Sequence, residues 1–176
     1  VFESSGVNPI DVLDSGDAAW VCIEYEVFNW LCIDRKRFGY VFDVVCIDGG
    51  ILHYFQDSDA FMDMMHILLK PGGIMICSDF HPFTKIADLL ETGSPAMSYF
   101  SQEVFEGEMA HARFFEKEIR EKMPKCSYRK YTLSEIINSV IRSGFSLKRF
   151  DEHPAWTDER VPGEFTIEAM KKVRED

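Results

Sequence analysis

Two stretches leave this chain little choice of architecture: "YVFDVVCIDGG" at residues 40–50 and "GGIMICSD" at residues 72–79 are apolar almost throughout, and each meets an acid as it ends. A half-exposed strand alternates apolar and polar residues, whereas an uninterrupted apolar run is what a strand covered by helices on both faces looks like. Between them, over residues 57–69, Phe61, Met64, Met65, Leu68 and Leu69 fall at i, i+3, i+4, i+7 and i+8, which is one face of a helix. Strand, helix and strand over this length predict a parallel βαβ unit, whose crossover is right-handed. A third run, "AAWVCIEYE" at residues 18–26, is β-favouring and also ends in acids.

The C-terminal part predicts a different pairing. Thr132 with Glu135 three residues on is a capping box, Gly144 is a stop, and Leu133, Ile136, Ile137, Val140 and Ile141 form the stripe of the helix between them. Residues 145–150 and 164–169 then alternate apolar and polar, and the Pro154- and Pro162-containing connection is too short for a covering helix, so an antiparallel strand pair is expected. Residues 92–130 have weak periodicity and many aromatics, Tyr99, Phe100, Phe105, Phe114, Phe115 and Tyr128 among them. An insertion of this type in a compact α/β domain reads as a lid or binding loop. The mixed charges of residues 116–125 suit an exposed helix.

With 176 residues, 46% of them hydrophobic, the sequence suits one domain over residues 1–176. Its formal charge of −11 opposes unassisted binding to nucleic acid or to an anionic membrane, so a neutral or cationic small molecule is the easier partner. Five cysteines without a Cys-x-x-Cys pair favour reduced thiols in a cytoplasmic protein. No apolar run approaches the roughly 18 residues of a membrane span, and "VFESSGVNPIDVLDSGD" does not look like a signal peptide.

In an open parallel sheet the ligand sits beyond the carboxyl ends of the strands. Three such ends carry acids here: Glu24; Asp48 with Gly49 and Gly50; and Asp79 with Phe80 and His81. Carboxylates there can accept from ribose hydroxyls or an exocyclic amine, and glycines let backbone approach a ligand closely. Turn chemistry alone also enriches Asp and Gly at such positions, but three acidic strand ends together favour a ligand crevice. Asp57, Asp59, Asp63 and His66 read as the acidic start and solvated face of a helix, so no metal site is expected.

The run "FDVVCIDGGILHYFQDSDAFMDMMHILLKPGGIMICSDFHPF" resembles the fourth strand, following helix and fifth strand of Rossmann-like (class I) S-adenosylmethionine-dependent methyltransferases. The matching features are Phe42-Asp43, the Asp48 to Gly50 loop, Leu52-His53, Asp57, the helix, Leu69 to Gly73 and the strand to Asp79. "YTLSEIINSVIRSGFSLKRFDEHP" and "PGEFTIEAMKK" are similar to that family's last helix, sixth strand and closing antiparallel strand, so the resemblance covers roughly residues 18–172. It implies an α/β fold with a doubly wound, mostly parallel sheet and an antiparallel C-terminal strand pair. It also implies S-adenosylmethionine as cofactor and methyl transfer to a small-molecule acceptor. The family's opening Gly-x-Gly-x-Gly turn has no counterpart, so an N-terminally incomplete domain is expected. On the resemblance, Glu3 would accept from the ribose, with Ser5 following, Cys22, Ile23 and Glu24 would edge the adenine, and Asp48, Gly49 and Gly50 would line the methionine side. Phe80, His81 and, in the lid, His111 would meet the acceptor, with His81 as catalytic base, while His53 is read as structural or at the site rim. The rival reading is a non-catalytic binding or assembly protein that has lost half of its cofactor site, its apolar sheet edge covered by a partner or by a second copy in a homodimer. A nicotinamide-dependent dehydrogenase would need a Gly-x-Gly-x-x-Gly turn that is equally absent.

Overall fold

The computed structural model describes residues 35–86, 92–93, 97–108 and 112–173. The chain divides into two compact units, Val1–Arg37 and Phe38–Asp176. Of the first, only the opening residues of a four-residue helix, α1 (Arg35–Phe38), are described. In chain order the second then contains β1 (Phe42–Ile47), α2 (Ser58–Leu68), β2 (Leu69–Phe80), β3 (Val104–Gly107), α3 (Lys117–Arg120), β4 (Cys126–Arg129), α4 (Leu133–Arg142), β5 (Phe145–Pro154) and β6 (Pro162–Lys171). Short 3-10 turns cover Leu52–Tyr54, Pro82–Lys85 and Ala112–Phe114.

The predicted βαβ unit is present: β1 and β2 pair in parallel through α2. Asp57 caps α2 by accepting the Ala60 N–H at 2.9 Å, and Phe61, Met62, Met64 and Met65 are buried. The helix runs straight into β2, and Lys70 to Gly73 loop out of the ladder, because Phe42 pairs with Leu69 but Val44 with Ile74. Glycine is needed there, since a Cβ on Gly73 would lie 2.9 Å from the Lys70 carbonyl oxygen and 3.1 Å from that of Asp43. Pro71, Gly72 and Gly73 therefore form a tight bulge inside the strand.

Among the described residues the main sheet is mixed, with strand order β1-β2-β6-β5, β1 and β2 parallel, and β6 antiparallel to both β2 and β5. The antiparallel pair expected from residues 145–150 and 164–169 is thus observed, with β6 between β2 and β5 rather than at an edge. Gly163, Phe165, Ile167, Ala169 and Lys171 form the buried face of β6, and Met75 and Cys77 continue it on β2. Lys171 is tolerated there because its ammonium donates to the carbonyls of His66 and Leu69 at the end of α2 and faces the Tyr40 ring at 4.2 Å. Helices α2 and α4 pack on each other and on this sheet. Apolar residues of alternate positions, Val44, Ile76 and Phe80, are exposed, so the described residues show the sheet covered on one face where both were expected.

Helix α4 has the predicted capping box at Thr132 and Glu135, and Gly144 follows it at φ +89°. Its stripe is rotated from the expected one: Ile136, Ser139 and Val140 are buried and Ile141 is exposed. The cause is a polar seam with α2. Ser139 Oγ donates to Asp59 at 2.6 Å and lies 2.6 Å from Ser58 Oγ, while Arg142 clasps both Asp59 oxygens. Within residues 92–130, β3 and β4 form an antiparallel hairpin on which Phe105 stacks against Tyr128, ring centroids 5.6 Å apart. The mixed-charge run contains the exposed α3, as its spacing predicted.

Candidate functional site

A cavity of about 530 Å³ lies beyond the carboxyl ends of the two parallel strands. The loop after β1 contributes Leu52, His53 and Tyr54; the end of β2 and the turn after it contribute Asp79, Phe80, Pro82, Thr84 and Lys85. Gly107 and Glu108 at the end of β3, Tyr128 of β4, and Lys130, Tyr131 and Ile136 form the wall opposite.

Asp79 ties the two strand ends together. Buried where β2 closes, it accepts the Leu52 N–H at 2.8 Å and the Phe80 N–H at 2.7 Å. Burial pushes its carboxyl up, against the opposing effect of those backbone donors and of His53. His53 stands in the cavity wall with its ring 4.0 Å from that of Tyr54 and edge-on to Tyr128. Burial moves the imidazole below its ordinary value, Asp79 raises it and Lys130 lowers it, so it is neutral at pH 7 and able to accept a proton.

Lys85, also in the cavity lining, is only 3% exposed. Its ammonium donates to the Tyr99 carbonyl at 3.0 Å and lies 5.5 Å from the centre of the Tyr99 ring. Burial brings it down to about 8, an effect that Glu135 opposes and Arg129 and Lys130 reinforce. Glu135 is itself engaged: it accepts from the Thr132 N–H at 2.8 Å and is paired with Arg129. Although burial pushes Glu135 up, the Thr132 bonds and Arg129 hold it below the usual carboxylate range. Tyr131 donates its hydroxyl to the Phe55 carbonyl at 2.5 Å and carries the Arg129 guanidinium over its ring at 4.5 Å, which fixes the hairpin to the loop after β1.

Gly49 and Gly50, expected to meet a ligand, are not among the residues that line this cavity. Gly49 and Gly50 have φ of +85° and +76°, and a Cβ on Gly49 would meet open space. A Cβ on Gly50 would stand 2.3 Å from the Phe80 ring, so Phe80 packs on that glycine as well as lining the cavity. Asp48 beside them is exposed.

His81 is placed differently from the other strand-end residues. Its Nδ1 accepts the Phe83 N–H at 3.0 Å, capping the following turn, and its Nε2 lies 2.9 Å from a Glu152 oxygen without an aligned hydrogen bond. Burial lowers its pKa and Glu152 raises it. The ring is buried outside the cavity lining, whereas His53, expected to be structural or at the site rim, lines the cavity. Glu3, Ile23, Glu24 and His111 lie outside the described residues. Lys85, Lys130 and Tyr131 entered no sequence expectation; the one available signal was a lysine set into the apolar context "HPFTKI". Among the described residues no three His, Cys, Asp or Glu side chains are grouped to hold a metal ion, and no helix is long and apolar enough to cross a membrane.

No protein-family profile and no curated protein matches the sequence. Solved structures do. An S-adenosylmethionine-dependent methyltransferase from Listeria monocytogenes is similar at 22% identity and a TM-score of 0.56, covering 76% of this chain and 63% of its own. One from Mesorhizobium loti gives 19% identity and 0.52, covering 76% of this chain and 64% of its own. One from Methanosarcina mazei gives 14% identity and 0.54, covering 86% of this chain and 68% of its own. The chain therefore has the fold of Rossmann-like S-adenosylmethionine-dependent methyltransferases and spans less than two thirds of the length of the first two.

Proposed function

We propose that this protein is an S-adenosylmethionine-dependent methyltransferase acting on a small molecule that occupies the cavity between the strand ends and the β3–β4 hairpin. The observation that carries the reading is the position of that cavity, at the carboxyl ends of the parallel pair in a sheet of methyltransferase fold. On this reading the mixed sheet is the C-terminal half of a doubly wound, mostly parallel one.

The residues present fit the cofactor's methionine side. Gly49 offers backbone with open space above it, and Asp48 supplies an exposed carboxylate that favours a cationic sulfonium. Asp48, Gly49 and Gly50 would hold that end, and the resemblance assigns Glu3 to the ribose and Ile23 and Glu24 to the adenine. The cofactor supplies an already activated methyl group, so the protein's task is to position the acceptor, which can be worth ~7 to 11 kcal/mol. Phe80 and Tyr128 offer aromatic surface to the acceptor. His53 accepts its proton where one must be lost, because a neutral imidazole faces the cavity. The unpaired Cys46, Cys77 and Cys126 suit a reducing, cytoplasmic setting.

Calorimetric titration of S-adenosylhomocysteine into the chain tests the reading. A micromolar dissociation constant, about −8 kcal/mol, weakened by Gly49→Val, is expected. Absence of binding overturns it.

A further inference from the structure

The electrostatics of the cavity carry an inference about the acceptor. Lys85 is a buried ammonium in the wall of a cavity, and among the described residues one of its three donors is satisfied, on the Tyr99 carbonyl. Among the described residues no carboxylate is paired with it; Glu135, the acid whose field reaches it, is engaged by Arg129 and the Thr132 cap. Burying a charge without a partner is strongly unfavourable, and a hydrophobic residue of similar size would serve packing better. Lys130 lines the same cavity, and its charge is felt by both Lys85 and His53. Two cations thus line one cavity in a chain of net charge −11. The acids that line it are otherwise occupied: Asp79 by two backbone donors and Glu108 by Arg120 at 3.0 Å.

We propose that Lys85 and Lys130 form an oxyanion-binding subsite, and that the molecule this cavity accepts is a small aromatic or apolar compound carrying a carboxylate or phosphate group. The anion supplies the counter-charge that Lys85 lacks and meets its free donors through charge-assisted hydrogen bonds. The apolar body lies along Phe80 and Tyr128, and the far end of the ligand reaches His53. Calling this ligand the methyl acceptor rests on the proposed function; the subsite itself does not.

The test uses 2-naphthoate, 2-naphthyl phosphate and neutral 2-naphthamide as probes, titrated into the native chain by ligand-observed magnetic resonance. One of the two anions should bind at least about tenfold more tightly than the amide, and which one does so tells carboxylate from phosphate. Lys85→Gln should remove that preference and Lys130→Gln should reduce it, each without changing the affinity for S-adenosylhomocysteine measured beside it. Equal affinity for amide and anions in the native chain overturns the proposal even if Lys85→Gln fails to fold, as does binding of none of the three up to roughly 20 mM. Loss of anion preference with S-adenosylhomocysteine binding intact leaves methyl transfer standing; anion preference without S-adenosylhomocysteine binding leaves the subsite standing and removes methyl transfer.

Discussion

The Asp79 carboxylate accepts the backbone N–H of Leu52, 27 residues earlier in the chain, at 2.8 Å. The end of one strand thereby sets the position of the loop leaving its neighbour, and both elements line the same cavity. Replacing Asp79 by Ala strands two backbone donors, Leu52 and Phe80, and should destabilise the fold by about 1–3 kcal/mol. Chemical denaturation measures this; an unchanged midpoint would show that water replaces the carboxylate at no cost.

The His53 imidazole should titrate below its ordinary value of 6.5, because burial outweighs the attraction of Asp79. Its neighbours give the sign of two further shifts. Removing the Asp79 charge by Asp79→Asn should lower the midpoint further, and removing the Lys130 charge by Lys130→Gln should raise it. Ring-proton magnetic resonance over pH 4 to 8 reads all three. Methyl transfer that needs His53 as base should fall as pH drops through that midpoint.

Lys85 should make the protein's stability depend on alkaline pH. Its folded-state value of about 8 lies below the unfolded 10.5, so between these the unfolded chain binds more protons and stability rises with pH. Glu135, Arg129 and Lys130 face the same ammonium. Lys85→Met should therefore gain most over the native chain below pH 8 and lose that gain towards pH 10.5. A constant difference in melting temperature across the range would place the ammonium in water.

His81→Gln should act on the fold alone. It disturbs the cap on the Phe83 N–H and the contact with Glu152, a loss of about 0.5–2 kcal/mol, and leaves S-adenosylhomocysteine affinity unchanged. A turnover defect out of proportion to the loss of stability would restore a catalytic role to this residue.

Gly50→Ala sets a methyl group 2.3 Å from the Phe80 ring at a φ of +76°, and should cost more than about 1 kcal/mol. Phe80→Ala in the same chain removes the clash and leaves the backbone strain, so the two changes together should cost less than their sum. Strict additivity in a double-mutant cycle would show that the ring moves aside freely.

The βαβ unit was legible because two apolar runs around a stripe of period 3.6 are properties of the chain itself, and the Thr132–Glu135 cap because it closes over four residues. The rotation of α4 was not: Ser139 is buried and Ile141 exposed because α2 approaches with Asp59 on that side, a fact written some 80 residues away. The role of a strand-end histidine depends likewise on distant partners. Glu152 and Phe83 hold His81 away from the cavity, while Tyr128 of the hairpin closes over His53. Lys85 reads as an ordinary surface lysine until Tyr99 covers it. Phe80 was expected at the ligand and lines the cavity, since a residue at the carboxyl end of a parallel strand has its position from the topology alone.

Strand β6 lies between β2 and β5 and gives each of them its antiparallel ladder. A ribosome that has released the chain only through β5 has therefore produced, among the described strands, a β1–β2 pair and a lone β5 that share no edge, each with a row of unpaired backbone N–H and C=O groups facing water. Closure waits for residues 162–171, which pair with partners made long before, so the domain should fold after synthesis of this segment rather than along with it. During that interval the strand edges at Ile74 to Phe80 and Phe145 to Pro154 are the surfaces a chaperone would have to cover.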